Sequence, residues 1–199
     1  MDYLPMTTEP HDEQAEALSQ LDAQMEELNQ AIEANPDDAD AYHRRGVAYG
    51  QMVEPLEAIR DFNQVIRLRP DSAEAYYNRG MAHTSLHQSL QAIDDYTDTI
   101  RLDPKHMDAH NNRAASYIEL RQPDQAMPDL DQALSIDANS ASAHALRAMA
   151  NTLLGDDAQA KQDSDRAVSL GFDGAALEYL VMRAVQQRVP DIGGNSPQN

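Results

Sequence analysis

Apolar positions along the chain recur at spacings of three and four residues, which marks amphipathic helices. Leu18, Leu21, Met25, Leu28 and Ile32 draw one such stripe through residues 11–34. From Ala39 onward the stripes come in pairs. Short polar stretches with Pro55, Pro70, Pro104, Pro123, Gly155, Gly171 and Gly174 separate them, the residue types that interrupt helices. The last stripe, ALEYLVMRAVQQR, puts Leu177, Leu180, Val181 and Ala184 on one face. The pattern predicts an all-α chain.

The paired stripes are periodic. Cuts at Ala39, Ala73, Met107 and Ala141 give four segments of 34 residues without gaps. A ring stands fourth in each (Tyr42, Tyr76, His110, His144). A small residue stands eighth (Gly46, Gly80, Ala114, Ala148), and alanine stands twentieth (Ala58, Ala92, Ala126, Ala160). Small residues at these two places let two helices approach closely, and the rings fill the space beside them. One helix pair cannot bury its apolar face alone, so neighbouring pairs must stack.

With this period and these places, the chain resembles the tetratricopeptide repeat (TPR) family. Asn78-Arg79-Gly80 at the sixth to eighth places is similar to TPR proteins common in bacteria. The resemblance implies a right-handed α-solenoid of helix-turn-helix repeats with a concave groove that binds other proteins. The repeats are expected at 39–72, 73–106, 107–140 and 141–174. An acidic N-terminal helix is expected over 11–38, a capping helix over 175–188, and disordered ends at 1–10 and 189–199. There are departures from the family pattern. The third repeat has Asp137-Ala138, and the fourth Gly171-Phe172, where the loop proline is expected. Pro128 falls about one turn inside a second helix, which is tolerable if that helix begins near Asp124.

The seventh place, usually leucine in the family, is Arg45, Arg79, Arg113 and Arg147. The twenty-third is Asp61, Asp95, Asp129 and Asp163. A charge near the packed seam of two helices needs a partner, because a lone buried charge is costly. One Arg–Asp bridge per repeat is expected, since the planar guanidinium can hold a carboxylate with two hydrogen bonds. The alternative is a ladder of arginines facing an acidic ligand.

The resemblance also implies which residues line the groove. The first repeat offers His43, Arg44 and Val47. The second offers Tyr77, Asn78 and Met81. The third adds Asn111, Asn112 and Ile118; the fourth adds Leu146, Met149 and Leu153. Tyr179 and Met182 join from the closing helix. Asn78 and Asn112 stand at equivalent places and resemble the asparagine rungs that hold extended peptides in some family members. Asparagine suits this because its amide both donates and accepts. The family's carboxylate clamp for acidic chaperone tails is not expected. Its places hold His43, Val47, Asn78, Asp108 and Asn112, which lack the cations.

Composition narrows the function. The chain of 199 residues has 15 Lys+Arg against 34 Asp+Glu, a formal charge of −19. That field opposes nucleic acid and anionic membranes. Residues 1–38 hold eleven acidic residues and no Lys or Arg. A stripe projecting from that helix would pair with a second copy, as would the apolar C-terminal end, but the dense charge opposes pairing through the helix. Cysteine is absent, so thiolate chemistry is excluded. The start has neither the basic segment nor the apolar run of a secretory signal, and a cytoplasmic location is expected. His83 and His87, four apart, lack further zinc ligands. No phosphate loop or nucleophile elbow is present. The expectation is a non-enzymatic adaptor without metal or cofactor, binding a peptide or a partner helix. The Leu/Met end of the groove supports an alternative: a chaperone-like protein that shields an apolar client segment before assembly or secretion.

Overall fold

The computed structural model describes residues 10–188. The disorder expected at both ends therefore falls almost wholly outside the described residues. Within them are ten helices and no strand: α1 (Pro10–Ala34), α2 (Ala39–Gln51), α3 (Pro55–Leu68), α4 (Ala73–Ser85), α5 (Ser89–Leu102), α6 (Met107–Glu119), α7 (Pro123–Ile136), α8 (Ala141–Leu154), α9 (Asp157–Ser169) and α10 (Gly174–Arg188). The fold class is all-α, a tandem of helix-turn-helix pairs. The chain divides into two compact units, Met1–Ala82 and His83–Asn199, and the division falls inside α4.

In the first unit α2 packs on α3 and on α1. Ala58, Phe62 and Ala82 form its core, with Tyr49 and Ile59 packed beside them. Gly46 sets the approach of α2 and α3: a Cβ added there would lie 3.0 Å from the Phe62 ring. Leu28 of α1 is 2% exposed.

In the second unit α6 packs between α5 and α7, α8 packs on α7 and α9, and α10 packs on α8 and α9. Ala114, Ile118, Ala126, Leu130 and Ala150 are the main core. Ala145, Ala167 and Leu177 form a second cluster, flanked by Phe172 and Val181. The apolar face of α10 thus covers alanines of α8 and α9, removing their surface from water.

Capping explains the helix boundaries. Asp38, Ser140 and Asp156 accept hydrogen bonds from the first-turn amides of α2, α8 and α9, which satisfies donors a helix leaves orphaned. Pro55 and Pro123 open α3 and α7, where a missing N–H costs nothing. Pro128 stays inside α7. It sits close to the helix start, so one backbone bond is lost.

The first helix of every repeat ends in the same left-handed turn. Val53 (φ 59°), His87 (φ 55°), Arg121 (φ 60°) and Gly155 (φ 87°) stand 34 residues apart. The next amide reaches back five residues in each case: Glu54 to Tyr49, Gln88 to His83, Gln122 to Tyr117 and Asp156 to Asn151, at 2.8–2.9 Å. This is the Schellman arrangement, which favours glycine at the left-handed place. Valine there is strained because its branched Cβ crowds the backbone. Val53 is 79% exposed, so packing does not compensate. Val53→Gly is expected to stabilise the protein by about 1 kcal/mol, read as a higher urea midpoint with an unchanged slope.

Candidate functional site

The arginines at the seventh place form the repeated polar element. Arg45 donates from Nε and Nη2 to the two carboxylate oxygens of Asp61 at 2.8 and 2.7 Å. Arg113 holds Asp129 at 2.8 and 2.7 Å, and Arg147 holds Asp163 at 2.9 and 2.8 Å. The three aspartates are each 3% exposed. Arg79 and Asp95 belong to different units. Arg79 lies over the Tyr76 ring at 5.5 Å, and Asp95 has His83 Nε2 at 3.7 Å.

Each arginine also reaches backward, by the same sixteen residues that separate it from its aspartate. Arg45 Nη1 donates to Asn29 Oδ1 at 2.8 Å, Arg79 to Asn63 Oδ1 at 2.6 Å, Arg113 to Thr97 Oγ1 at 2.9 Å and Arg147 to Asp131 Oδ1 at 3.2 Å. One guanidinium therefore ties three successive helices in the cases of Arg45, Arg113 and Arg147. The residue pattern had pointed only to the forward half.

A histidine adds a further layer in the last two repeats. His110 Nδ1 lies 2.8 Å from Asp129 and its Nε2 lies 3.2 Å from the Pro104 carbonyl. His144 repeats this at 2.9 Å to Asp163 and 3.2 Å to the Ala138 carbonyl. Tyr42 and Tyr76 hold the equivalent places earlier in the chain. Burial pushes the Asp163 carboxyl up, but hydrogen bonds from Arg147 and His144 outweigh it, so the net displacement is downward. A carboxyl lowered on folding contributes stability above its unfolded value, about 3.9, and that stability is lost as pH falls through the folded value. Urea stability is therefore expected to fall below about pH 4. Asp163→Asn should flatten part of that fall.

The groove residues expected in the first unit lie on α2 and α4. His43 is half-buried, edge-on to Phe62 at 5.8 Å. The Asn78 amide donates to His43 Nε2 at 3.3 Å, and Glu74 approaches the same nitrogen at 3.7 Å. Tyr77 is half-buried, Arg44 and Val47 are exposed, and Met81 is 45% exposed. Asn78 is thus partly engaged by its neighbour.

In the second unit a pocket of about 460 Å³ opens between α6, α8 and α10. Ile118, Leu146, Met149 and Leu153 line it, joined by Ala115, Leu180 and Ala184. Its rim carries His87, Glu119, Arg121, Arg183 and Gln187. Asn112 is half-buried on α6. Asn111 is 5% exposed, and its Oδ1 has no hydrogen-bond partner among the described residues. Tyr179 and Met182 are exposed on α10 but do not line the pocket. The packing of α10 on α8 and α9 turns Leu180, Arg183, Ala184 and Gln187 to it instead. The rim residues His87, Arg121, Arg183 and Gln187 were not expected from the sequence. His87 and Arg121 share the left-handed fifteenth place, and that recurrence was the available signal. Among the described residues, no group of three His, Asp or Glu could hold a metal ion.

Stacked two-helix repeats with a side pocket define a helical-repeat, α-solenoid class. A TPR repeat model matches residues 17–53 and 57–86, and a tetratricopeptide repeat model matches 85–143. The chain belongs to the tetratricopeptide repeat family. Among solved structures it is similar to MamA at 21% identity, covering 86% of this chain and 99% of that one, with a TM-score of 0.74. It is similar to YrrB, described as a TPR protein with an unusual peptide-binding site, at 20% identity. That match covers 81% and 83% of the two chains, with a TM-score of 0.68. A Thermus thermophilus TPR protein, TTC0263, matches at 20% identity over 87% and 94%, with a TM-score of 0.62. These likenesses carry the fold. No curated protein matches the chain significantly.

Proposed function

We propose that this chain is an adaptor that holds an extended peptide or a partner helix against its first-helix faces, with the pocket between α6, α8 and α10 as the principal anchor. TPR proteins bind other proteins and are typically non-enzymatic scaffolds, which supports the reading. The observation that carries it is the pocket itself: an apolar floor of Ile118, Leu146, Met149 and Leu153 ringed by polar groups. Binding sites combine these features, burying anchors while a few polar groups set orientation. The charge of −19 disfavours nucleic acid as the partner. No helix among the described residues is long and apolar enough to cross a membrane.

The test is co-purification from the native host with the wild-type chain and with Met149→Asp. A charge in the floor should abolish recovery of the partner while circular dichroism stays helical. Equal recovery would move the site elsewhere. The chaperone-like reading draws on the Leu/Met content of the same floor, because methionine adapts to varied ligands. Recovery of only unassembled client chains would favour it.

A further inference from the structure

We propose that the pocket between α6, α8 and α10 takes a partner segment carrying a carboxylate beside its apolar anchors. This rests on the adaptor reading and adds the charge of the ligand. The floor is apolar, so the rim decides which polar group may accompany an anchor.

The acid on the rim is already engaged. Ser89 donates to Glu119 Oε2 at 2.7 Å, and His87 Nδ1 lies 3.3 Å from Oε1. The Ser89 hydrogen bond, against the effect of burial and with help from His87, holds the Glu119 carboxyl below its usual range. The cations are differently placed. Arg121 spends Nη1 on the Gln187 carbonyl at 3.1 Å, near the end of α10, and meets no carboxylate among the described residues. Arg183 is exposed and makes no hydrogen bond or ion pair among the described residues. Most arginines elsewhere are paired, although Arg44 and Arg166 also meet no carboxylate among the described residues. Arg45, Arg69, Arg113, Arg147 and Arg188 each hold an aspartate. Two guanidiniums beside one apolar floor meet no carboxylate among the described residues.

A guanidinium fork holds a carboxylate with paired, charge-assisted hydrogen bonds, and an apolar surround strengthens such a bond. A basic segment would meet two like charges. A purely apolar one would leave Arg183 without an acceptor and Arg121 with the Gln187 carbonyl alone. Neither arginine lies at the groove places of the family's carboxylate clamp. Arg121 comes from the left-handed turn after α6, and Arg183 comes from α10.

The test uses the full chain and three labelled, end-blocked peptides: Ser-Leu-Asp-Asp-Leu-Leu-Ser and its counterparts with both Asp replaced by Asn or by Lys. Fluorescence anisotropy should show the aspartyl peptide binding about fivefold tighter than the asparaginyl one or better, with the lysyl peptide weakest. Arg183→Gln should reduce that preference, and adding Arg121→Gln should bring the ratio to about one. Equal binding of the three peptides by the wild type would overturn the proposal and leave the adaptor reading intact. So would a preference for lysine, or a ratio unmoved in the double variant. Failure of all three peptides to bind would overturn the proposal, and the partner recovery described above would then decide the adaptor reading separately. Tighter binding by an Ile192→Asp variant would make the chain's own C-terminal segment the occupant and would also overturn it.

Discussion

Arg45→Leu is expected to cost about 3–5 kcal/mol of stability, because it leaves Asp61 charged, buried and alone. Among the described residues, Asp61 accepts hydrogen bonds from Arg45 only. The substitution also removes the guanidinium from beside the Tyr42 and Tyr49 rings, at 5.6 and 5.9 Å, and from Asn29. Arg147→Leu should cost less. Asp163 would keep His144 at 2.9 Å and the Asn151 amide at 3.3 Å. Arg45→Leu with Asp61→Leu should recover most of the loss, since an apolar pair of similar volume is often as stable as a buried ion pair. Urea titrations followed by circular dichroism at pH 7 check the series. A double variant as unstable as Arg45→Leu would show that lost packing, rather than an orphaned charge, sets the cost.

Gly46→Val is the second large effect, with an expected loss of about 3 kcal/mol. Its Cβ alone would stand 3.0 Å from two atoms of the Phe62 ring and 3.3 Å from the Asp61 Cβ. The ring is 2% exposed and has little room to withdraw. The same helix supplies the control. A Cβ at Gly50 would meet nothing within 4 Å, so Gly50→Ala should stabilise by about 0.5–1 kcal/mol through helix propensity. Phe62→Leu in the Gly46→Val background should return part of the loss. Thermal melts of the wild type and the three variants check this. Similar melting temperatures for Gly46→Val and the wild type would mean that α2 and α3 can separate freely.

The sequence made the helices legible because burial repeats in register with the helical turn. The small residue at the eighth place and the alanine at the twentieth carry the packing of each pair, as Gly46 against Phe62 and Ala114 beside Ala126 illustrate. The left-handed turns were less legible. Only Gly155 signals one by residue type, while Val53, His87 and Arg121 adopt the same backbone without it. The backward reach of the arginines was hidden for a different reason. Their acceptors are Asn29, Asn63, Thr97 and Asp131, which share an oxygen at one place but not an identity. The pocket rim depends on the rotation of α10 on its neighbours. Periodicity names the buried face of a helix, but it does not say which flank turns toward a cavity.

The arginine connector has a consequence for how such a chain can change length. Its aspartate lies sixteen residues ahead and its other acceptor sixteen behind, so both offsets are fixed by the repeat period. Tandem duplication of a 34-residue stretch within the repeats, wherever the gene is cut there, recreates donor and acceptors at the new junction. Loss of one such stretch heals in the same way. An insertion of any other length between the arginine and either acceptor breaks the tie. The polar wiring thus permits growth by whole modules and penalises growth by fractions.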